Sequence, residues 1–266
     1  MLAPVIVLLV LLGFFAGAYG ALVGLGGGII LVPVLSIWLG LPIKTAVGIS
    51  LVCVIATSTG AAAVYVQRHL TDLRLGMVLE LATVLGAITG AAAAAYLPDR
   101  LIKALFAAFL AYAAVMMSRQ KPDASADATQ DGPLYEVRNY PLGLGVSYVA
   151  GCVSGVLGIG GGPIKVPMMY LLMGVPIKVA AATSNFMIGV TAAASAFLYY
   201  GRGDIVVAVA APLASGVFAG ALVGSRLSAR LRSRWIRWLL LPVLFYLAAL
   251  MIGEVFELPI PGRRQP

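Results

Sequence analysis

Lys165 lies in the apolar run GIGGGPIKVP, three residues past Gly162. An ammonium in such a place either neutralises an anion or extends its apolar stem until the charge reaches a nearby polar interface. Glu80 is the only carboxylate well inside an apolar stretch, seven residues from its start. It is the candidate for proton or cation coupling, with an interfacial position as the alternative. Ser50 and the run Thr183, Ser184, Asn185 offer hydroxyls and an amide that can donate to anionic oxygens or line a polar path, and Thr57, Ser58 and Thr59 follow two turns after Ser50. Ser and Thr can equally bond back to their own helix carbonyls; Asn185 is favoured as functional. His69, the only histidine, stands beside Arg68 in a polar connector, where a solvated residue is the simpler reading than a pH sensor.

The backbone carries chemistry too. Gly26, Gly27 and Gly28, and again Gly160, Gly161 and Gly162, are each followed by a proline, Pro33 and Pro167. A glycine triplet inside hydrocarbon leaves amides and carbonyls outside the helical ladder, at several kcal/mol for each one unsatisfied. Helices beginning at Gly28 and Gly162 would aim free amides and positive dipole ends inward, which favours an anion. Close helix packing through small residues is the rival reading. Paired breaks in related halves are the stronger pointer to a substrate site.

These residues sit in a duplicated unit. GAYGALVGLGGGIILVP at Gly17 to Pro33 returns as GCVSGVLGIGGGPIKVP at Gly151 to Pro167. Without a gap the match continues through Gly40 with Gly174, Pro42-Ile43-Lys44 with Pro176-Ile177-Lys178, Ala46 with Ala180 and Ser50 with Ser184. Lys44 and Lys178, at equivalent turns, read as interface anchors.

With 61% hydrophobic residues, 11% charged residues and a mean hydropathy of +1.02, the chain lacks the polar surface to coat a soluble globule. Several apolar runs reach the roughly 20 residues needed to cross a bilayer, and strand-type alternation is absent. The fold class expected is therefore an all-α polytopic membrane protein. The net charge of +8 resides in short connectors beside the spans, which argues against nucleic acid. Cys53 and Cys152 lie in apolar runs without partner spacing and imply neither a metal nor a disulfide; no cofactor is expected. The apolar N-terminus could pass for a signal peptide, but it has no basic residue before its core, and its counterpart is internal; a retained helix is expected.

The chain divides into a first transmembrane repeat at 1–118, a hydrophilic linker at 119–140 with Asp123, Asp127, Asp131 and Glu136, and a second repeat at 141–266. Each repeat should hold five helical segments, about 8–10 transmembrane segments in all, with Gly-rich broken or re-entrant helices. Two crossings or none at each triplet invert the halves; one broken crossing leaves them parallel. Inverted halves put Arg68, Arg74, Arg119, Lys121, Arg138, Lys178, Arg226, Arg230, Arg232, Arg234 and Arg237 on the linker face, a stronger bias than the parallel arrangement gives. Positive-inside reasoning thus favours inverted repeats with a cytoplasmic linker.

GLGGGIILVPVL and GIGGGPIKVPMM, each followed by a Gly-x-Pro turn and an Ala-x-x-x-Ser element, resemble the duplicated signature of the TauE/SafE sulfite exporter family. The second copy, with Ala182-Thr183-Ser184, fits better than the first, with Gly48-Ile49-Ser50. The resemblance spans nearly the whole chain and implies a multi-pass protein of the cytoplasmic membrane that moves sulfite, organosulfonates or other sulfur-containing anions. The residues and the resemblance together make the expected function a secondary transporter, an exporter by the family's name, that works by alternating access. Its partners would be a small sulfur anion, the lipid bilayer and a coupling proton or other ion, with a homodimer among the open oligomeric states. The rivals are an anion channel, a transporter of another small organic anion and, least, an intramembrane hydrolase, which would have to draw on His69.

Overall fold

Hydrocarbon offers no partner to a backbone amide, so apolar segments close their hydrogen bonds internally. In the computed structural model, which describes residues 2–23, 26–119, 135–228 and 233–256, they form α1 (Leu2–Val23), α2 (Gly28–Pro33), α3 (Ile43–Gln67), α4 (Leu73–Tyr96), α5 (Asp99–Arg119), α6 (Tyr140–Leu157), α7 (Gly162–Leu171), α8 (Ile177–Gly201), α9 (Val207–Ser228) and α10 (Ser233–Val255). No strand occurs among the described residues. Pro33 cannot donate a backbone bond, and α2 continues beyond it as a wider π turn, Val34–Trp38, closed by Leu39 N donating to Val34 O at 3.3 Å.

Among the described residues six helices are long and apolar enough to cross a membrane: α1, α3, α4, α6, α8 and α9. That is fewer than the eight to ten segments expected from sequence. α5 and α10 are not among them, and two further segments are short: α2 with its π turn, 11 residues at Gly28–Trp38, and α7, 10 residues. At about 1.5 Å per residue each reaches roughly half of a 30 Å hydrocarbon core. The boundaries otherwise follow the apolar runs closely.

The helices pack with one pairing pattern used twice. Gly13 and Gly17 of α1 face Leu213 and Val217 of α9, while Gly220 and Gly224 of α9 face Phe14 and Ala18, so α1 and α9 run in the same direction. Gly86 and Gly90 of α4 lie on Tyr148 and Cys152 of α6, while Gly151 and Gly155 of α6 lie on Thr83, Ala87 and Ala91, again in the same direction. In each case a Cβ would strike the partner's backbone, which is the close approach that small residues permit. Gly17 and Gly151 of the repeat are therefore packing glycines.

α3 and α8 cross the centre in opposite directions. Asp204, just past α8, reaches Gly48 near the start of α3, and Asp72, past α3, donates its amide to Thr183 Oγ1 near the start of α8 at 3.0 Å. Near the start of α5, Lys103 Nζ meets Glu254 Oε1, near the end of α10, at 2.6 Å. The core, including Leu31, Leu35, Ile49, Leu51, Val54, Ile159, Ile188 and Tyr199, encloses both glycine breaks.

The linker expected at 119–140 lies mostly outside the described residues. Its last part is docked: Tyr135 OH donates to Asp72 Oδ2 at 2.6 Å, Arg138 N to Met173 O at 3.2 Å, and Asn139 Nδ2 to Leu172 O at 3.0 Å. Tyr135 and Val137 pack on a second apolar cluster with Leu75, Leu79, Met168 and Met173. Five residues of the polar stretch are thus a strap over α4 and α7. Burial, with the Asp72 carboxylate beside it, pushes the Tyr135 phenol well above its ordinary range.

Candidate functional site

The two glycine breaks meet. Gly26, at φ +73, stands with its Cβ direction 3.5 Å from Ile159 O, and both Gly26 and Gly160 face Val54 of α3. A Cβ on Gly28 would lie 2.5 Å from Gly158 O and 2.8 Å from Ser50 Oγ. Gly160 and Gly161 hold φ of +79 and +75, a left-handed backbone that side chains resist, so glycine is required there for the turn itself. Each half therefore sends its break to the same central region, where α2 and α7 begin.

Ser50 Oγ donates to Gly158 O at 2.9 Å, tying a hydroxyl of the first half to the break of the second. Its repeat counterpart Ser184 is fully buried, and its Oγ has no hydrogen-bond partner among the described residues. The neighbouring Asn185 is 1% exposed; its Nδ2 donates to Ala181 O at 2.9 Å, its backbone O accepts from Ser58 Oγ, and its Oδ1 is unpartnered. Two adjacent unpaired polar atoms in a core are costly, at about 1–3 kcal/mol each, unless water or a ligand meets them. Thr183 instead accepts from the Asp72 amide. Thr57 and Thr59 bond back to Cys53 O and Ile55 O, the local alternative foreseen for them.

Lys165 has no exposed surface. It does not snorkel. Its Nζ donates to Thr191 Oγ1 of α8 at 2.9 Å and lies 3.4 Å from Glu80 Oε2 of α4, while Thr191 Oγ1 donates to Glu80 Oε1 at 2.6 Å. Glu80 is 6% exposed and lies inside the helix bundle. The side chain of Lys165 passes beside the break, with Cε 3.5 Å from where a Cβ on Gly161 would stand. In the sequence the lysine and the carboxylate are separate candidates; the fold joins them through Thr191. Thr191 carried no signal beyond its place two turns after Ser184, equivalent to Thr57 after Ser50.

The remaining candidates are peripheral. Lys44 Nζ donates to Ala95 O at 3.0 Å and lies 4.0 Å from Asp99, an anchoring role. His69 is exposed at the end of α3. Cys53 is buried and Cys152 half-buried, both free thiols, and no metal-ligating cluster occurs among the described residues.

The family model described as sulfite exporter TauE/SafE matches residues 9–251. A Bacillus subtilis protein named probable membrane transporter protein YunE is 27% identical over 93% of this chain and 97% of its own length. Another from Methanocaldococcus jannaschii, named probable membrane transporter protein MJ0441, is 25% identical over 92% of this chain and 94% of its own. No solved structure matches the chain.

Proposed function

The chain belongs to the TauE/SafE sulfite exporter family, and from that membership we propose that it is a secondary transporter of small sulfur-containing anions, sulfite or an organosulfonate, across the cytoplasmic membrane. The observation that carries this reading is the meeting of the two glycine breaks between α3 and α8, where Gly26 and Gly160 face Val54 and Gly160 also faces Ile188, with the unpaired polar atoms of Ser184 and Asn185 buried on that same helix α8. An anion of a few oxygen atoms needs several donors and little volume. The amides freed at Gly26 to Gly28 and Gly160 to Gly162, with the Thr183 and Ser184 hydroxyls and the second Nδ2 hydrogen of Asn185, are such a donor set, and Ser50 joins it on releasing Gly158 O.

Alternating access follows from inverted repeats. The shared directions of α1 with α9 and of α4 with α6, and the opposed directions of α3 and α8, support halves related by a two-fold axis in the membrane plane. The strap at Tyr135–Asn139 and the basic residues Arg68, Arg74, Arg138 and Lys178 would then share the cytoplasmic face. Rocking of one half against the other exposes the breaks to each side in turn. Movement against a gradient needs a coupling ion, and Glu80 is where a proton would be carried.

The test is uptake of labelled sulfite, sulfoacetate, taurine and sulfate by purified protein in liposomes. Saturable uptake of one sulfur anion, inhibited by its close analogues, is the expected result. A set of solutes in which only cations or apolar molecules move would overturn it.

A further inference from the structure

Lys165, Glu80 and Thr191 form one closed cluster, and the repeat supplies its control. Extending the gapless alignment of the two halves pairs Lys165 with Leu31, Thr191 with Thr57 and Glu80 with Ala214. Gly86 and Gly90 of α4 fall on Gly220 and Gly224 of α9 in the same register, so the alignment holds through these helices. The first half keeps the threonine and lacks both charges. The repeat therefore does not require charges at these positions, and a buried pair is in general no more stabilising than an apolar replacement of similar volume. Packing does not explain its presence here.

The geometry is that of a loosely held counter-ion. The short bonds run from the ammonium to Thr191 and from Thr191 to the carboxylate, whereas the direct Lys165–Glu80 separation of 3.4 Å exceeds the 2.7–2.9 Å usual for a charge-assisted bond. An ammonium has three donors, and two partners are present. Lys165 is the charged group facing Glu80 from α7; α8 presents the Thr191 hydroxyl, and α6 presents Tyr148 and Cys152 farther along α4, against Gly86 to Thr89. On α4 itself Asp72 and Arg74 stand near its start, nearly two turns or more before Glu80.

We propose that Glu80 is the resident counter-ion of Lys165 and that a monovalent substrate anion, such as hydrogensulfite, takes its place on the ammonium as Glu80 accepts a proton, so that one proton travels with each anion. The inference deepens the transporter reading and rests on it. The cluster is neutral at rest. A bound anion added to it would leave one uncompensated negative charge in a desolvated core, which is prohibitive. Protonation of Glu80 restores neutrality, and the neutral acid can keep a hydrogen bond with Thr191 in place of the one it accepted. Release reverses the steps: the proton leaves Glu80, and its carboxylate reclaims Lys165 and expels the anion. Transport is then electroneutral, and the empty carrier can return only with the pair re-formed.

The experiment measures labelled sulfite and internal pH together in liposomes whose membrane potential is clamped, using wild type, Glu80→Gln and the double variant Lys165→Leu/Glu80→Ala, which copies the first half. Wild type should accumulate a monovalent anion about tenfold for each unit of pH gradient, as one proton per anion requires, and clamping the potential at different values should not change this. Glu80→Gln, a permanent neutral mimic, should still exchange labelled for unlabelled sulfite but accumulate none and move no protons. The double variant should fold, by its melting in detergent, and lose sulfite exchange. Accumulation by Glu80→Gln at the wild-type proton ratio, or full exchange by the double variant, overturns this inference while leaving the transporter standing. Absence of flux for any sulfur anion in wild type overturns both.

Discussion

Removing Lys165 and Glu80 singly and together gives a stability cycle whose sign the structure dictates. Lys165→Leu leaves a carboxylate 6% exposed with Thr191 as its donor, and Glu80→Ala leaves an ammonium with no exposure and one hydroxyl. Loss of one partner from a buried pair costs about 3–5 kcal/mol. The double variant removes both charges and installs the residues that the first half carries at these places, so its cost should fall to about 1–3 kcal/mol, the cavity left where alanine replaces the buried glutamate. The sum of the singles then exceeds the double by about 3–9 kcal/mol, at or above the top of the 0.5–3 kcal/mol usual for neighbouring residues. The assay is reversible unfolding of the purified protein from mixed micelles by increasing SDS, followed by loss of helix. A double variant as unstable as the worse single would refute the reasoning, because the contact would then need its charges for packing.

Ser50→Ala should cost about 1 kcal/mol in the same assay, since it removes the bond to Gly158 O. Ser184→Ala removes no bond and relieves the burial of an unpaired hydroxyl, so it should stabilise by about 1–3 kcal/mol in the substrate-free protein, yet weaken sulfite uptake. Gly86→Ala and Gly220→Ala should destabilise by similar amounts, about 1–3 kcal/mol, because each drives a Cβ into the facing backbone of an equivalent helix pair. Tyr135→Phe should free the strap and raise protease cleavage between residues 119 and 140. Because the Tyr135 phenol titrates above its unfolded value of 10.0, its contribution to stability is present below about pH 10 and is lost as pH rises further.

The helical membrane architecture was legible in the sequence because length and hydropathy decide it, and Gly17 to Ser50 with its second copy announced the two halves. The breaks were legible in the glycine triplets, where the backbone turns at Gly26, Gly160 and Gly161, whereas Pro33 and Pro167 lie inside α2 and α7. Partnership was not. Lys165 and Glu80 are distant in sequence, and nothing in either segment says that α4 and α7 converge on α8. Thr191 looked like any helical threonine, because a hydroxyl's role is set by what stands opposite it. Ser50 and Ser184 were equal in sequence and differ in the fold, one bonded to a break carbonyl and the other unpaired. The docked end of the linker was hidden by its polar composition, which described the stretch as a whole and missed the apolar bodies of Tyr135 and Val137.

The central claim is that the paired glycine breaks form the anion site of an alternating-access carrier, and sulfite counterflow tests it most directly. Liposomes holding wild-type protein and unlabelled sulfite inside should draw in labelled sulfite faster than empty ones, and Gly28→Val, which would push a side chain onto Gly158 O and Ser50 Oγ, should abolish the stimulation. Entry of label that is linear in concentration, without stimulation from inside, or stimulation unchanged in Gly28→Val, would contradict the account.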